Sequence, residues 1–204
     1  MAQATLTIVD TGCANISSVK FAVERLGIIA EVSSDLREIS RAQRVILPGV
    51  GSAPAAMASI TNKQLIPCLQ SLTQPVLGVC LGMQLMVETS AETNLGDTAY
   101  TKALGLIPGS VEKMQVGNLR LPHMGWNQVS STRSNPLFAN IDDGAYFYFV
   151  HGYAVNVYEH TLATCEYHQP FSAAINKDNF FGVQFHPERS SDAGAQLLKN
   201  FAQL

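Results

Sequence analysis

The sequence predicts an α/β fold: a mostly parallel central sheet with helices on both faces, extended by antiparallel or mixed strands. Three observations carry this expectation. From Thr5 to Cys80, short apolar runs alternate with segments of helical period. That alternation implies βαβ units and a parallel sheet. After Ala91 the texture changes to Gly-, Pro-, Ser- and Asn-rich sequence, followed by short β-like runs. Hydrophobic residues make up 47% of the chain and charged residues 14%, a balance that suits strands buried on both faces.

Taken in order, Thr5 to Asp10 is an apolar strand closed by the turn signal Thr11-Gly12. Asn15 is placed to cap a helix. Ile16, Val19, Val23 and Leu26 recur at intervals of three and four, and Gly27 ends the run. Ala30 to Ser33 is a second strand, Asp35 to Arg41 a short helix, and Arg44 to Leu47 a third strand. That strand runs into Pro48-Gly49-Val50-Gly51. Helices follow from about Pro54 to Ile60 and from about Lys63 to Leu72, the second kinked or split at Pro67. Val76 to Val79 is a fourth strand, with a helix from Leu81 to Ser90. Asn94 to Asn140 shows few long periodic stretches. Short strands are expected at Tyr146 to Val150, Thr161 to Tyr167, Phe171 to Ile175 and Phe181 to Phe185. A last helix runs from about Asp192 to Gln203, with Ser190 or Ser191 as cap. No linker or internal repeat divides the 204 residues, so one domain over 1–204 is expected.

Composition narrows the function classes. The formal net charge is −3 and there is no basic run, which argues against nucleic acid and anionic membranes as partners. No apolar run approaches the ~18 residues a membrane span needs. The N-terminus reads as a first strand rather than a signal peptide. Cys13, Cys68, Cys80 and Cys165 are scattered without a CxxC pair, so neither a disulfide framework nor a metal site is expected. A cytoplasmic protein with reduced thiols and no cofactor is the expectation.

The stretch Pro75-Val-Leu-Gly-Val-Cys-Leu-Gly-Met-Gln84 organises the rest. Gly78-x-Cys80-x-Gly82 has the form of a nucleophile elbow with cysteine in place of serine. A strand turning straight into a helix strains the corner residue, and flanking glycines let the backbones approach. The corner cysteine then projects beside a helix N-terminus, whose partial positive charge favours thiolate. On this stretch alone, a small buried cysteine in an ordinary βα turn fits equally well.

His186-Pro187-Glu188 follows an apolar strand. Proline pushes His186 toward an extended conformation, and residues two apart in an extended chain project to the same side. Glu188 can therefore reach the imidazole and fix its tautomer, the orienting role in a catalytic triad. A histidine so held can take the proton of a thiol, giving a thiolate–imidazolium pair. In isolation, a strand-ending turn whose Glu starts the last helix fits these residues better.

Glycines on either side of Val50 permit a peptide flip or a positive φ that exposes a backbone N–H. If this loop lies beside the elbow, an N–H of the Gly49–Val50 region and that of Leu81 would form an oxyanion hole. A plain βα turn is the alternative. The loop is neither a dinucleotide fingerprint nor a P-loop. Tyr146, Phe147, Tyr148 and Phe149 alternate faces. Trp126 is the only tryptophan. His123, His151, His160 and His168 lack ligand-like spacing and read as surface or structural residues.

In combination and in this order, these motifs resemble the class I, triad-type glutamine amidotransferases. The match is closest to the glutaminase subunits of imidazole glycerol phosphate synthases. It rests on Gly78-Val-Cys-Leu-Gly-Met-Gln84, Gly182-Val-Gln-Phe-His-Pro-Glu-Arg-Ser190, Asp10 to Asn15, Leu47 to Gly51, Leu121 to Asn127 and Tyr146 to His151, and so spans essentially the whole chain. The resemblance implies a flavodoxin-like fold and L-glutamine as substrate. It implies Cys80 as nucleophile, His186 held by Glu188 as acid and base, and a γ-glutamyl thioester on Cys80. Gln84 and Glu92 stand at substrate-contact positions, and Glu92 would receive the α-ammonium of free glutamine. The ammonia would pass to a partner (β/α)₈-barrel cyclase, which releases imidazole glycerol phosphate and an aminoimidazole ribonucleotide. Trp126, Tyr148 and Arg189 resemble interface positions, the latter two helping to gate or dock.

Two departures stand out. Gly152 occupies a position where many relatives carry a hydroxyl residue, so a contact from that side chain would be lost. Arg189 replaces a common lysine, keeping the charge but changing donor geometry. Two rivals remain at this point. One is a self-contained cysteine hydrolase of the same fold acting on a γ-glutamyl or ester substrate. The other is a non-enzymatic scaffold or redox sensor using Cys80, which leaves His186-Pro-Glu188 unexplained.

Overall fold

The computed structural model describes residues 6–12, 15–94, 96 and 99–204. Thr5 and Cys13, named above, lie outside the described residues. Strands β1 (Leu6–Val9), β2 (Ala30–Ser33), β3 (Arg44–Gly49) and β4 (Val76–Cys80) alternate with helices α1 (Ile16–Arg25), α2 (Leu36–Arg41), α3 (Ala53–Asn62) and α4 (Ile66–Gln70). Helix α5 (Leu81–Met86) leaves β4 with no intervening loop. Then come β5 (Thr89–Ser90), β6 (Thr101–Lys102), β7 (Ser110–Lys113), β8 (His123–Ser131), β9 (Ala145–His151) and β10 (Tyr153–Val155). The chain closes with β11 (Thr161–Tyr167), β12 (Gln169–Lys177), β13 (Phe180–Val183) and α6 (Ser191–Phe201).

Nine strands form one sheet in the order β2-β1-β3-β4-β13-β12-β11-β8-β9. The first five are mutually parallel, and the remaining pairings are antiparallel. The order within the parallel part is that of a flavodoxin-like sheet. Both faces are covered because successive strand residues point to opposite sides. Leu6, Ile8, Ile46 and Leu77 pack with α1 and α6, while Val9, Val45, Leu47 and Val76 pack with α2 to α5. A second, four-stranded sheet, β10-β7-β5-β6, flanks the carboxyl edge of the first.

The decisive pairing for function is β13 against β4, with Val183 opposite Val79. The last strand of the chain thus lies beside the elbow strand, and the residues just after β13 meet those just after β4. On the other side of β4, Gly49 is the register partner of Cys80. The Pro48 to Gly51 loop is therefore next to the elbow, as the oxyanion expectation required.

Several local expectations are corrected. The helix after Cys80 ends at Met86 rather than Ser90. Val87 turns extended, and carbonyls of Leu85, Met86 and Val87 accept N–H groups from Leu104, Gly105, Leu106 and Ile107. That distant segment closes the helix in place of another turn. Pro67 starts α4 rather than kinking a longer helix. Asn15 and Ser190 precede α1 and α6 but make no capping bond from their side chains. Asp35 does cap α2, accepting from Arg37 and Glu38. The stretch expected to be irregular holds the nine-residue strand β8.

Candidate active site

Cys80 sits at the corner between β4 and α5 with φ 54° and ψ −112°. That is a sparsely populated conformation for a residue with a Cβ, held only because the surroundings over-determine it. The flanking glycines supply space. A Cβ on Gly78 would meet backbone atoms of Gly82 and Met83 at 2.8 Å. Gly49 is needed for the same reason: a Cβ there would lie 2.7 Å from the Gly82 nitrogen. Of the two loop glycines, only Gly51 takes the left-handed conformation, with φ 94°. Gly49 is a close-packing glycine and Gly51 the turn glycine.

His186 follows β13 in an extended conformation, and its Nδ1 lies 2.8 Å from Glu188 Oε1. Both side chains are buried. Ser190, instead of capping α6, donates to the His186 carbonyl at 2.6 Å and accepts from the Tyr148 N–H at 2.9 Å. The turn carrying the imidazole is thereby tied to β9. Burial works against a charged imidazole here. Interaction with the Cys80 sulfur and with Glu188 overcomes it and raises the His186 pKa from 6.5 to about 10. Nε2 of His186 is buried and makes no hydrogen bond of ordinary geometry.

These groups open into a cavity of about 310 Å³, lined among others by Val50, Leu81, Gln84 and Glu92. The volume suits a small molecule. Glu92 Oε2 accepts the Ala53 N–H at 2.7 Å, so the N-terminus of α3 holds the carboxylate at the cavity wall. Gln84 is buried and spends its amide nitrogen on the Tyr153 carbonyl and on Gln184 Oε1, each at 2.9 Å. Gly152 also lines the cavity, and a Cβ there would make ordinary contact with Leu121 at 3.7 Å.

The expected docking residues lie together beside this cavity. Trp126 of β8 is 51% exposed and is the register partner of Tyr148 on β9. Their rings meet edge to face at 6.1 Å. Exposed Arg189 lies over the Tyr148 ring at 5.0 Å, a cation–π contact. Met124 and Tyr146, both exposed, extend the same apolar face. A tryptophan left in water beside an aromatic and an arginine has the composition of an interface core.

Sequence reasoning missed Gln184, which is fully buried and points its Nε2 at Cys80 Sγ, 3.8 Å away. The signal was present: Gln184 stands two residues before His186, on the same side of an extended segment. Of the histidines expected as surface or structural residues, His123 and His151 are buried, and His151 lines the cavity. Desolvation lowers their pKa values to about 4 and about 3, so both are neutral. Burial pushes the Cys165 thiol up to about 12, which leaves it inert. Among the described residues, no cluster of His, Cys, Asp and Glu is arranged to hold a metal ion, and no helix is long and apolar enough to cross a membrane.

A strained cysteine, a buried imidazole with its carboxylate, and backbone N–H groups at a helix start form the constellation used for acyl transfer through a covalent thioester. Comparison with known proteins agrees in kind. The family model of class I glutamine amidotransferases matches residues 7–204. The imidazole glycerol phosphate synthase subunit HisH of Colwellia psychrerythraea is 52% identical, the match covering 100% of this chain and 95% of the relative. HisH of Yersinia pseudotuberculosis is 53% identical, covering 98% of this chain and 99% of the relative. Among solved structures, PurLQS from Thermotoga maritima superimposes with a TM-score of 0.71 at 16% identity, over 98% of each chain. At that identity, the likeness is one of fold.

Proposed function

The chain belongs to the class I glutamine amidotransferase family, and we propose that within it this protein is the glutaminase subunit of an imidazole glycerol phosphate synthase. Full-length similarity near 50% to HisH subunits supports this reading. The single structural observation that carries it is the meeting of Cys80, His186 and Glu188 in one cavity that Glu92 also lines.

Cys80 Sγ attacks the side-chain amide carbon of L-glutamine. The oxyanion forms against the N–H of Leu81 and of the Gly49–Val50 region. His186, held by Glu188, donates a proton to the departing nitrogen, and ammonia leaves. Water then attacks the γ-glutamyl thioester with His186 as base, releasing glutamate and the thiol. Glu92, fixed by the Ala53 N–H, receives the α-ammonium and selects a free amino acid over a peptide. Gln84 has both amide protons committed, so it meets substrate through its oxygen.

A single domain over 1–204 serves this role in the cytoplasm. It works in a heterodimer with a (β/α)₈-barrel cyclase, the lyase-type partner that consumes the ammonia in histidine biosynthesis. The cluster of exposed Trp126 and Arg189 around half-buried Tyr148 supports the partner reading over a self-contained hydrolase, which gives an exposed tryptophan no role. The test is glutamate release by the purified chain with and without the cyclase and its nucleotide substrate. Turnover stimulated by the partner is expected. Equal turnover in both conditions contradicts the reading.

A further inference from the structure

Between strand β8 and the elbow runs a chain of hydrogen bonds whose donors and acceptors can be assigned without ambiguity. A backbone carbonyl only accepts, which fixes two points. Asn127 Nδ2 lies 2.9 Å from the Glu166 carbonyl, so this atom is the amide nitrogen, and it also faces His123 Nε2 at 3.3 Å. His151 Nδ1 lies 2.9 Å from the Tyr153 carbonyl and must therefore carry the proton. With both rings neutral, His151 Nε2 accepts, and His123 Nδ1 donates to it across 3.0 Å. His123 Nε2 then accepts from Asn127, and every ring nitrogen is satisfied.

The second arm starts from the same carbonyl. Gln84 Nε2 donates to Tyr153 O and to Gln184 Oε1. With its oxygen so engaged, Gln184 can only turn its nitrogen toward Cys80 Sγ. Neither Gln84 nor Gln184 can flip without placing two donors or two acceptors face to face in a buried site, which costs a full desolvation penalty.

We propose that Gln184 is a positioning residue for the Cys80 sulfur, its orientation set by the Tyr153 carbonyl through Gln84, and that Asn127, His123 and His151 hold that carbonyl in place from strand β8. An N–H held on sulfur limits where the sulfur can point relative to the cavity. Gln184 is fully buried behind Cys80 and does not line the cavity, so it acts through Cys80. Because β8 also carries Trp126, the docking face and the nucleophile share one hydrogen-bonded framework. This inference rests on Cys80 being the nucleophile.

The test compares the full chain with its Q184E, H123F and C80A variants. Q184E keeps volume and the acceptor for Gln84 but removes the donor to sulfur. H123F keeps the ring stack between Phe149 and Tyr167 but removes the donor to His151. The readouts are the rate of Cys80 alkylation by iodoacetamide, followed by peptide mass spectrometry, and kcat and KM for glutamate release with the cyclase present. Q184E is expected to slow alkylation about tenfold and lower kcat in parallel, with KM for glutamine within about twofold of wild type. H123F is expected to slow both about threefold, with a melting temperature lowered by a few degrees because the buried His151 Nε2 loses its donor. If Q184E does not fold, H123F decides alone. Alkylation and kcat at wild-type values in the folded variants overturn the inference while C80A remains inactive. Glutamate release by C80A overturns the nucleophile assignment and this inference with it.

Discussion

Gly82 and Leu47 are in direct backbone contact: a Cβ added to Gly82 would sit 1.8 Å from the Leu47 carbonyl oxygen. The first turn of α5 is thus pressed onto β3, and this contact places Cys80 at the sheet edge. No rotamer change can relieve a clash with a carbonyl, so Gly82→Ala forces the helix off the strand. We expect a loss of about 3 kcal/mol in thermal or denaturant unfolding, and glutaminase activity lost together with it.

Glu188→Gln leaves the size of the side chain and removes the charge that faces His186. The raised His186 pKa has a defined pH window. Its stabilising contribution is complete below the unfolded value of about 6.5 and is lost as pH rises through about 10. In the proposed mechanism the imidazolium is also the acid that protonates the leaving nitrogen, so the alkaline limb of kcat reports it. In Glu188→Gln that limb moves to lower pH and kcat falls by about 10². An alkaline limb at its wild-type position contradicts the orienting role.

Glu92→Gln tests substrate selection. The amide still reaches the Ala53 N–H through its oxygen, so the start of α3 is preserved. The charge offered to the α-ammonium is gone. KM for glutamine should rise about 10- to 100-fold with a smaller change in kcat, measured by initial-rate kinetics.

Trp126→Ala removes a half-exposed ring from the β8–β9 face and leaves the monomer's stability nearly unchanged. Affinity for the cyclase, measured by calorimetry, should fall about 30-fold or more. An unchanged affinity removes Trp126 from the interface.

The parallel half of the fold and the segments that bring Cys80, His186 and Glu188 together were legible because each has a local signature. Apolar runs such as Val76 to Val79 announce a strand buried on both faces, and Gly78-x-Cys80-x-Gly82 announces an elbow whose glycines prove to be spacers. Strand β8 was not legible, for a physical reason. Its outward side chains, Met124 and Trp126, are the apolar ones, while the residues alternating with them are Gly125 and Asn127. A strand whose apolar face waits for a partner inverts the usual pattern. The end of α5 was hidden because residues 104–107, far along the chain, close it. Gln184 stands two residues before His186, a local signal, but that signal does not say that β13 pairs with β4. Only that pairing brings its amide to Cys80.

The central claim is that a γ-glutamyl thioester forms on Cys80. It is tested most directly by mixing the chain, with its cyclase partner, with glutamine, quenching in acid, and mapping the modified peptide by mass spectrometry. The account predicts a γ-glutamyl group on the peptide carrying Cys80, none on the inert Cys165, and no adduct in His186→Ala. Glutamate released at full rate with Cys80 unmodified, or by Cys80→Ala, would contradict it.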